Sequence, residues 1–452
     1  MIRASSCRAA IVSAALLGIS LFGVSLSGCG GDGGENLLTL DPVKFTALQT
    51  FTADDLTAFM KTTLGAAQGD PRFGTLPDAT DGATYYRVTY PSVNFSGNPV
   101  TLSGAVAIPT GGSVKGLVIY MHGTSLGQNE CPSAGISGPN AYHEGATAIS
   151  AFLSGGYAVA LPDYIGQGVS NQPHPYVMAS KNAASGRDLA SAAYQMATEL
   201  GVSIAPKLFV TGYSEGGQNA MGLCQLLESE PIEGLTFTAS APMSGPYDLS
   251  GAQRLMLMGL VPTQPDAIQF APLMLVGDIA YAANAYYEIP SNTLFKKNIA
   301  SKIPTFFDGS KTTKSVLESL LLPATLDGYI KDSSGNYHLA SIMVPAAAQG
   351  LNEPNPGFPL YKMLQEYDTY DWKPTVPMYL TGLSSDTLVS FGNTQSAVNA
   401  MRTKGVDSAT MGHHAIVGPE LNHLSNISGS CILARRFFDG GFDAVPTDAD
   451  PG

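Results

Sequence analysis

The segment Gly212-Tyr213-Ser214-Glu215-Gly216-Gly217 sets a serine among glycines directly after the apolar run Leu208-Phe209-Val210. A serine hydroxyl is a weak nucleophile until a neighbouring base takes its proton. Gly-x-Ser-x-Gly between a strand and a helix is the form of a nucleophile elbow. The serine sits at strained dihedrals there, and neighbours carrying a Cβ would collide across the turn. The pattern is common on its own, so its weight depends on what accompanies it. Asp386 lies four residues beyond Gly382, which closes another apolar run, and suits an acid that orients a histidine. His413, His414 and His423 follow it. His413 and His414 fall within or near a strand, where adjacent residues face opposite ways, so at most one could reach a common site. His423 falls in the loop after that strand, the position of a base in the order Ser214…Asp386…His423. Asp407 competes as the acid but precedes the last strand. Upstream, His122-Gly123-Thr124 closes a further apolar run. The backbone N–H of Thr124, with Gly123 as the alternative, and that of Glu215 are the candidate oxyanion donors. Together these residues point to acyl transfer through a serine ester.

The intervening elements must bring these residues together. Residues 116–121, 157–164 and 207–211 are continuous apolar runs separated by helical patterns over 144–153 and 183–200. That alternation predicts parallel strands buried on both faces and joined by right-handed crossovers. Residues 84–90 and 100–109 alternate and read as an antiparallel pair, Thr52 and Asp55 read as a helix start, and 235–241 reads as a further strand. Asp163 follows a strand end but precedes Ser214, and reads as a structural loop acid. From about 250 to 370 only helical patterns appear, over 255–260, 270–287, 291–297 and 313–322. A segment that long with its own helices reads as a cap or lid whose apolar helices line a pocket over Ser214. The sheet resumes at 376–389, followed by a helix over 393–404, a last strand over 410–417 and a closing helix over 426–438. The expected divisions are 41–249 and 373–452 for the core, with 250–372 as the cap.

The 452 residues are 44% apolar and only 13% charged, and the net charge is −13. Acidity without a basic run argues against nucleic acid and against electrostatic binding to anionic lipid. Arg3 and Arg8 precede a short apolar stretch, 11–24, that closes on Leu26-Ser27-Gly28-Cys29. This resembles a bacterial lipobox, so residues 1–28 are expected to be a lipoprotein signal peptide and Cys29 the lipid attachment site. The alternative is an ordinary signal or an uncleaved anchor. Loss of residues 1–28 removes two cations and no acids, so the mature balance is 21 − 36 = −15. Residues 29–40 then form a glycine-rich tether. The implied location is the bacterial cell envelope, anchored in a membrane through Cys29, with the outer membrane suggested by analogy. Of Cys131, Cys224 and Cys431, at most one disulfide can form, and Cys131–Cys431 is the pairing left if Cys224 lies buried on the helix after Ser214. Neither a zinc motif nor an organic cofactor is implied.

With these residues in place, the chain resembles an α/β-hydrolase, and within that group it is similar to secretory lipase and related bacterial lipase/esterase proteins. The likeness rests on His122-Gly123-Thr124, Leu161-Pro162-Asp163-Tyr164-Ile165-Gly166-Gln167-Gly168, Gly212–Gly217, the helical insertion, Asp386 and His423, and spans about 85–430. It implies a mostly parallel sheet flanked by helices with a helical cap. It also implies a Ser214-His423-Asp386 triad cleaving a small-molecule ester or a lipid. Tyr before the serine and Glu-Gly-Gly after it depart from the common lipase pattern, which favours ester hydrolysis over long-chain lipolysis. A peptidase or acyltransferase uses the same triad, and a catalytically silent binding protein can share the fold.

Overall fold

The computed structural model describes residues 41–111, 113–137, 142–261, 271–320 and 337–450. The expected signal segment, Cys29, the expected tether, residue 270 of the expected 270–287 helix and residues 321–322 of the last expected cap helix lie outside them. A nine-stranded sheet runs in the order β1-β2-β3-β5-β4-β6-β7-β10-β11. Its strands are β1 (Lys44–Phe51), β2 (Ala83–Val93), β3 (Pro99–Pro109), β4 (Leu117–Met121), β5 (Ala158–Pro162), β6 (Lys207–Tyr213), β7 (Thr236–Met243), β10 (Met378–Leu383) and β11 (Met411–Ile416). A separate short pair joins β8 (Leu260–Val261) to β9 (Tyr337–His338).

Strands β1, β2, β3 and β5 pair antiparallel in turn, and every pairing from β5 through β11 is parallel. Every residue of β4, β5 and β10 is buried, as the continuous apolar runs require for strands covered on both faces. Strand β5 lies on one side of β4 and β6 on the other, so the order reverses between β4 and β6. Side-by-side strands whose connections leave in opposite directions open a crevice at their carboxyl ends, where ligands bind in open α/β sheets. The loop bearing Thr124 and the turn bearing Ser214 both start at that crevice.

The helices α1 (Ala53–Leu64), α2 (His143–Phe152), α3 (Ala179–Glu199) and α4 (Glu215–Ser229) accompany the sheet. Thr52 caps α1 through the expected capping box with Asp55. Two apolar clusters cover the two faces of the sheet. A third, built around Leu273, Ile279, Phe295, Ile342 and Leu360, joins the 250–372 segment to Leu126, Tyr176–Met178 and Leu249 of the core. The described residues of this segment form helices and one strand pair, and residues 291–297 do not form one helix. Ser291–Leu294 and Lys297–Ala300 are single turns separated by an extended Phe295. The β8–β9 pair there was not anticipated, and neither was β1. Strand β1 is an edge strand with mostly exposed side chains, so it lacks the alternation that marks a half-buried strand.

The cysteines correct an expectation. Cys131, Cys224 and Cys431 are all free and buried, so no Cys131–Cys431 disulfide forms. The Cys131 thiol donates to the Gln128 carbonyl oxygen at 3.4 Å, while the Cys431 thiol approaches the Tyr120 hydroxyl at 3.9 Å. Each sits in its own packed site, and burial raises all three thiols, that of Cys224 to about 12. Unreactive thiols of this kind behave as small apolar side chains.

Candidate active site

Ser214 stands between β6 and α4 with φ 59° and ψ −125°. Such a conformation costs on the order of 1–3 kcal/mol in a non-glycine residue, and the surrounding contacts hold it there. Two glycines make the turn sterically possible. A Cβ on Gly216 would lie 2.0 Å from the Met121 carbonyl oxygen, and one on Gly212 would lie 2.3 Å from the Gly216 carbonyl oxygen. Met121 pairs with Gly212 in the β4–β6 register, so the elbow is pressed directly against the start of the His122-Gly123-Thr124 loop.

The residues expected at 386 and 423 meet at the serine. Asp386 lies beyond β10, and its Oδ1 accepts the backbone N–H groups of Leu388 (2.8 Å) and Val389 (3.0 Å). Its Oδ2 is 2.6 Å from His423 Nδ1, and its side chain is fully buried. A carboxylate so placed can only accept, so Nδ1 carries the hydrogen. His423 Nε2 is then left as an acceptor for the Ser214 hydroxyl, 2.8 Å away. The Tyr213 hydroxyl donates to the His423 carbonyl oxygen at 2.7 Å and fixes the loop from below.

The competitors lie elsewhere. Burial lowers the His413 pKa, while His414 Nδ1 is 2.9 Å from Asp448. Asp407 accepts from the Thr410 backbone N–H beside its own turn. Asp163 is a buried structural acid, taking the Ser103 hydroxyl at 2.6 Å and the Ser133 N–H at 2.9 Å.

The loop after β4 is held by a residue that the sequence did not single out. The Gly123 N–H donates to Glu144 Oε1 at 2.9 Å, and the Tyr120 hydroxyl donates to the same oxygen at 2.9 Å. The Tyr142 hydroxyl reaches Oε2 at 3.3 Å. The Gly123 N–H is thereby committed, which leaves Thr124 as the candidate donor of this loop. Thr124 borders the same cavity as Ser214. Burial pushes the Glu144 carboxyl up to about 7, with its hydrogen bonds and His423 working in the opposite direction. A glutamate in the first turn of a helix reads as ordinary dipole compensation, so nothing local marks Glu144. His122 lies under the loop with Nδ1 2.8 Å from the Gly123 carbonyl oxygen, and burial lowers its pKa. It is a neutral loop clamp stacked on Tyr164, with ring centroids 4.1 Å apart.

Glu215 was expected to serve through its backbone, and its side chain also has a partner. Glu215 Oε1 is 2.9 Å from His174 Nε2, while His174 Nδ1 is 2.9 Å from the Ile165 carbonyl oxygen. Both ring nitrogens face acceptors, which suits a protonated imidazole. Burial pulls its pKa down, and the Glu215 carboxylate, with Asp278 and the Ile165 carbonyl oxygen, outweighs this and raises it. Asp278, from the helix Ala271–Tyr287, faces this pair. Burial pushes its carboxyl up to about 8, and Glu215 adds to the rise.

A cavity of about 190 Å³ opens above Ser214. Gly123, Thr124, Glu144 and His423 form one side, and Met274, Leu275 and Leu317 of the 250–372 segment form the other.

No family profile matches the sequence, and no curated protein does. Solved structures do match. The rice cell wall degrading esterase LipA from Xanthomonas oryzae superposes with a TM-score of 0.71 at 22% identity, covering 89% of this chain and 98% of that one. A candidate hydrolase from Legionella pneumophila gives 0.72 at 23%, covering 90% and 99%. Candida antarctica lipase A gives 0.56 at 14%, covering 89% and 83%. The chain has the α/β-hydrolase fold that these structures share.

Proposed function

We propose, starting from this fold, that the protein is a serine hydrolase cleaving carboxylic esters through an acyl-enzyme. The observation that carries the reading is the chain of contacts from Asp386 through His423 to a strained Ser214 at the floor of an apolar cavity. His423 Nε2 takes the serine proton as Oγ attacks the ester carbonyl carbon. The negative charge on the carbonyl oxygen is met by the N–H groups of Thr124 and Glu215. The imidazolium, stabilised by Asp386, returns the proton to the departing alkoxide as the C–O bond breaks. Water then enters, gives a proton to His423 and attacks the acyl carbon, which releases the acid and restores Ser214.

Ester cleavage is favoured over peptide cleavage by the cavity wall. Among the described residues its 250–372 side is formed by Met274, Leu275, Thr313 and Leu317, none of them an acid that could bind a peptide amine, and Glu144 is engaged by Gly123 and two tyrosines. Apolar helices over the nucleophile also suit a lid for a small-molecule ester or a lipid. Purified protein should hydrolyse p-nitrophenyl esters and take up a fluorophosphonate label, and Ser214→Ala should do neither. An unlabelled, inactive wild type would end this reading. Lipid attachment at Cys29, which would place the enzyme on the bacterial envelope, is the companion proposal. Metabolic labelling with a fatty acid should mark the wild type and not Cys29→Ala.

A further inference from the structure

Ser214 borders two cavities of very different size. Besides the cavity of about 190 Å³, a slot of about 20 Å³ is lined by Ser214, Glu215, Val177, Leu249 and Leu257. Leu275 and Val389 line both and stand at the division between them. His423 lines the large cavity and is not among the residues of the slot, whereas Glu215 lines the slot and not the large cavity. Behind the slot is a second apolar void of about 20 Å³ between Met258, Val276 and Leu360, and Leu257 and Ile279 line both of these small spaces.

The proton path assigns the two spaces. The proton that His423 removes from Ser214 must pass to the leaving oxygen, so that oxygen has to lie within hydrogen-bond reach of Nε2. The alcohol half of the ester therefore occupies the space that His423 borders, and the acyl half takes the space on the other side of the serine. An apolar cavity of about 150 Å³ holds a benzene ring, and about 10–15 Å³ of such volume holds one water. On that scale the large cavity accommodates an alcohol of six or more carbons, and the slot accommodates little beyond a methyl or an ethyl group. We propose, on the ester-hydrolase reading above, that the substrates are short-chain acyl esters, acetates or propionates, of bulky apolar alcohols, with Leu257 closing the acyl slot.

Two isomeric esters test the assignment, because they differ only in which half is long. Hexyl acetate should be cleaved with kcat/KM at least about 10-fold above ethyl hexanoate, since each methylene a pocket rejects is worth about 10- to 200-fold. Equal rates, or a preference for ethyl hexanoate, would overturn the assignment while leaving ester hydrolysis intact. If both fail and Ser214 also resists the fluorophosphonate, the underlying reading falls with it. If both fail while Ser214 is labelled, the proposed substrate class is wrong. Leu257→Ala should join the slot to the void behind it and raise ethyl hexanoate relative to hexyl acetate by about 10-fold. Leu257→Val, a smaller excision, should shift the ratio in the same direction by less. An unchanged ratio in a folded variant would remove Leu257 from the role.

Discussion

Replacing Glu144 with glutamine should stabilise the protein at alkaline pH and leave it nearly unchanged in acid. Burial pushes this carboxyl from 4.5 up to about 7. The native chain therefore keeps the proton over a range in which the unfolded chain has released it. Between about pH 4.5 and 7 the native state binds more protons, so the free energy of unfolding falls as pH rises. Below that window the group contributes no penalty, and above it the full penalty is present. The difference of 7 − 4.5 = 2.5 units corresponds to about 3 kcal/mol at about 1.36 kcal/mol per unit. The carboxyl borders the cavity, and water there lowers the penalty to about 2 kcal/mol. Glutamine cannot ionise, yet its side-chain oxygen still accepts the Gly123 N–H. Urea unfolding of wild type and Glu144→Gln should give equal stabilities at pH 4.5 and a gain of about 2 kcal/mol for the variant at pH 8. A stability difference that stays flat between those pH values would refute the reasoning. So would a variant that is less stable at pH 8, because Glu144 would then be ionised in the native state without cost.

Asp386→Asn retains an acceptor for the Leu388 and Val389 N–H groups but lets His423 adopt the wrong tautomer. Esterase kcat should fall by about 10⁴-fold with little change in melting temperature. Gly216→Ala puts a methyl 2.0 Å from the Met121 carbonyl oxygen, so its expression should yield little folded protein, as judged by size exclusion and circular dichroism. By contrast, Gly97, where a Cβ would meet nothing within 4 Å but φ is +82°, should accept alanine at a cost of about 1–2 kcal/mol. His174→Ala leaves the Glu215 carboxylate buried without its cation and should cost about 3–5 kcal/mol in chemical denaturation. Adding Glu215→Gln to it should recover part of that loss.

The parallel half of the sheet was legible because strands covered on both faces carry continuous apolar runs, as β4, β5 and β10 do. Once those runs were placed, the loops after them were fixed in chain order, and Ser214, Asp386 and His423 meet accordingly. The edge strand β1 was not legible, because its side chains are largely solvated and no apolar period distinguishes it from a loop. Glu144 and His174 were missed for a different reason. Each acts on a partner distant in sequence: the loop after β4 meets the start of α2, and the loop after β5 meets the turn after β6, so no local pattern marks either contact. The cysteine pairing failed on the same ground, since counting thiols says nothing about where three buried side chains sit.

Glu215 shows how the elbow can be strained and rigid together. Its backbone N–H is the proposed oxyanion donor, while the residue as a whole is almost fully buried. The carboxylate is tied to His174, and His174 is tied to the Ile165 carbonyl oxygen in the loop after β5. The His174 ring stacks on Tyr164, whose hydroxyl donates to the His122 carbonyl oxygen at 2.8 Å. The route from Glu215 therefore returns, through side chains alone, to the loop that carries Thr124. Both proposed oxyanion donors are positioned by one closed circuit of hydrogen bonds and stacked rings. Small shifts of one donor relative to the other would strain that circuit, and preorganised donors stabilise a developing charge because they need not reorient as it forms. A charged residue directly after the nucleophile is thus explained by what lies beneath the turn, and the substrate need not contact its side chain.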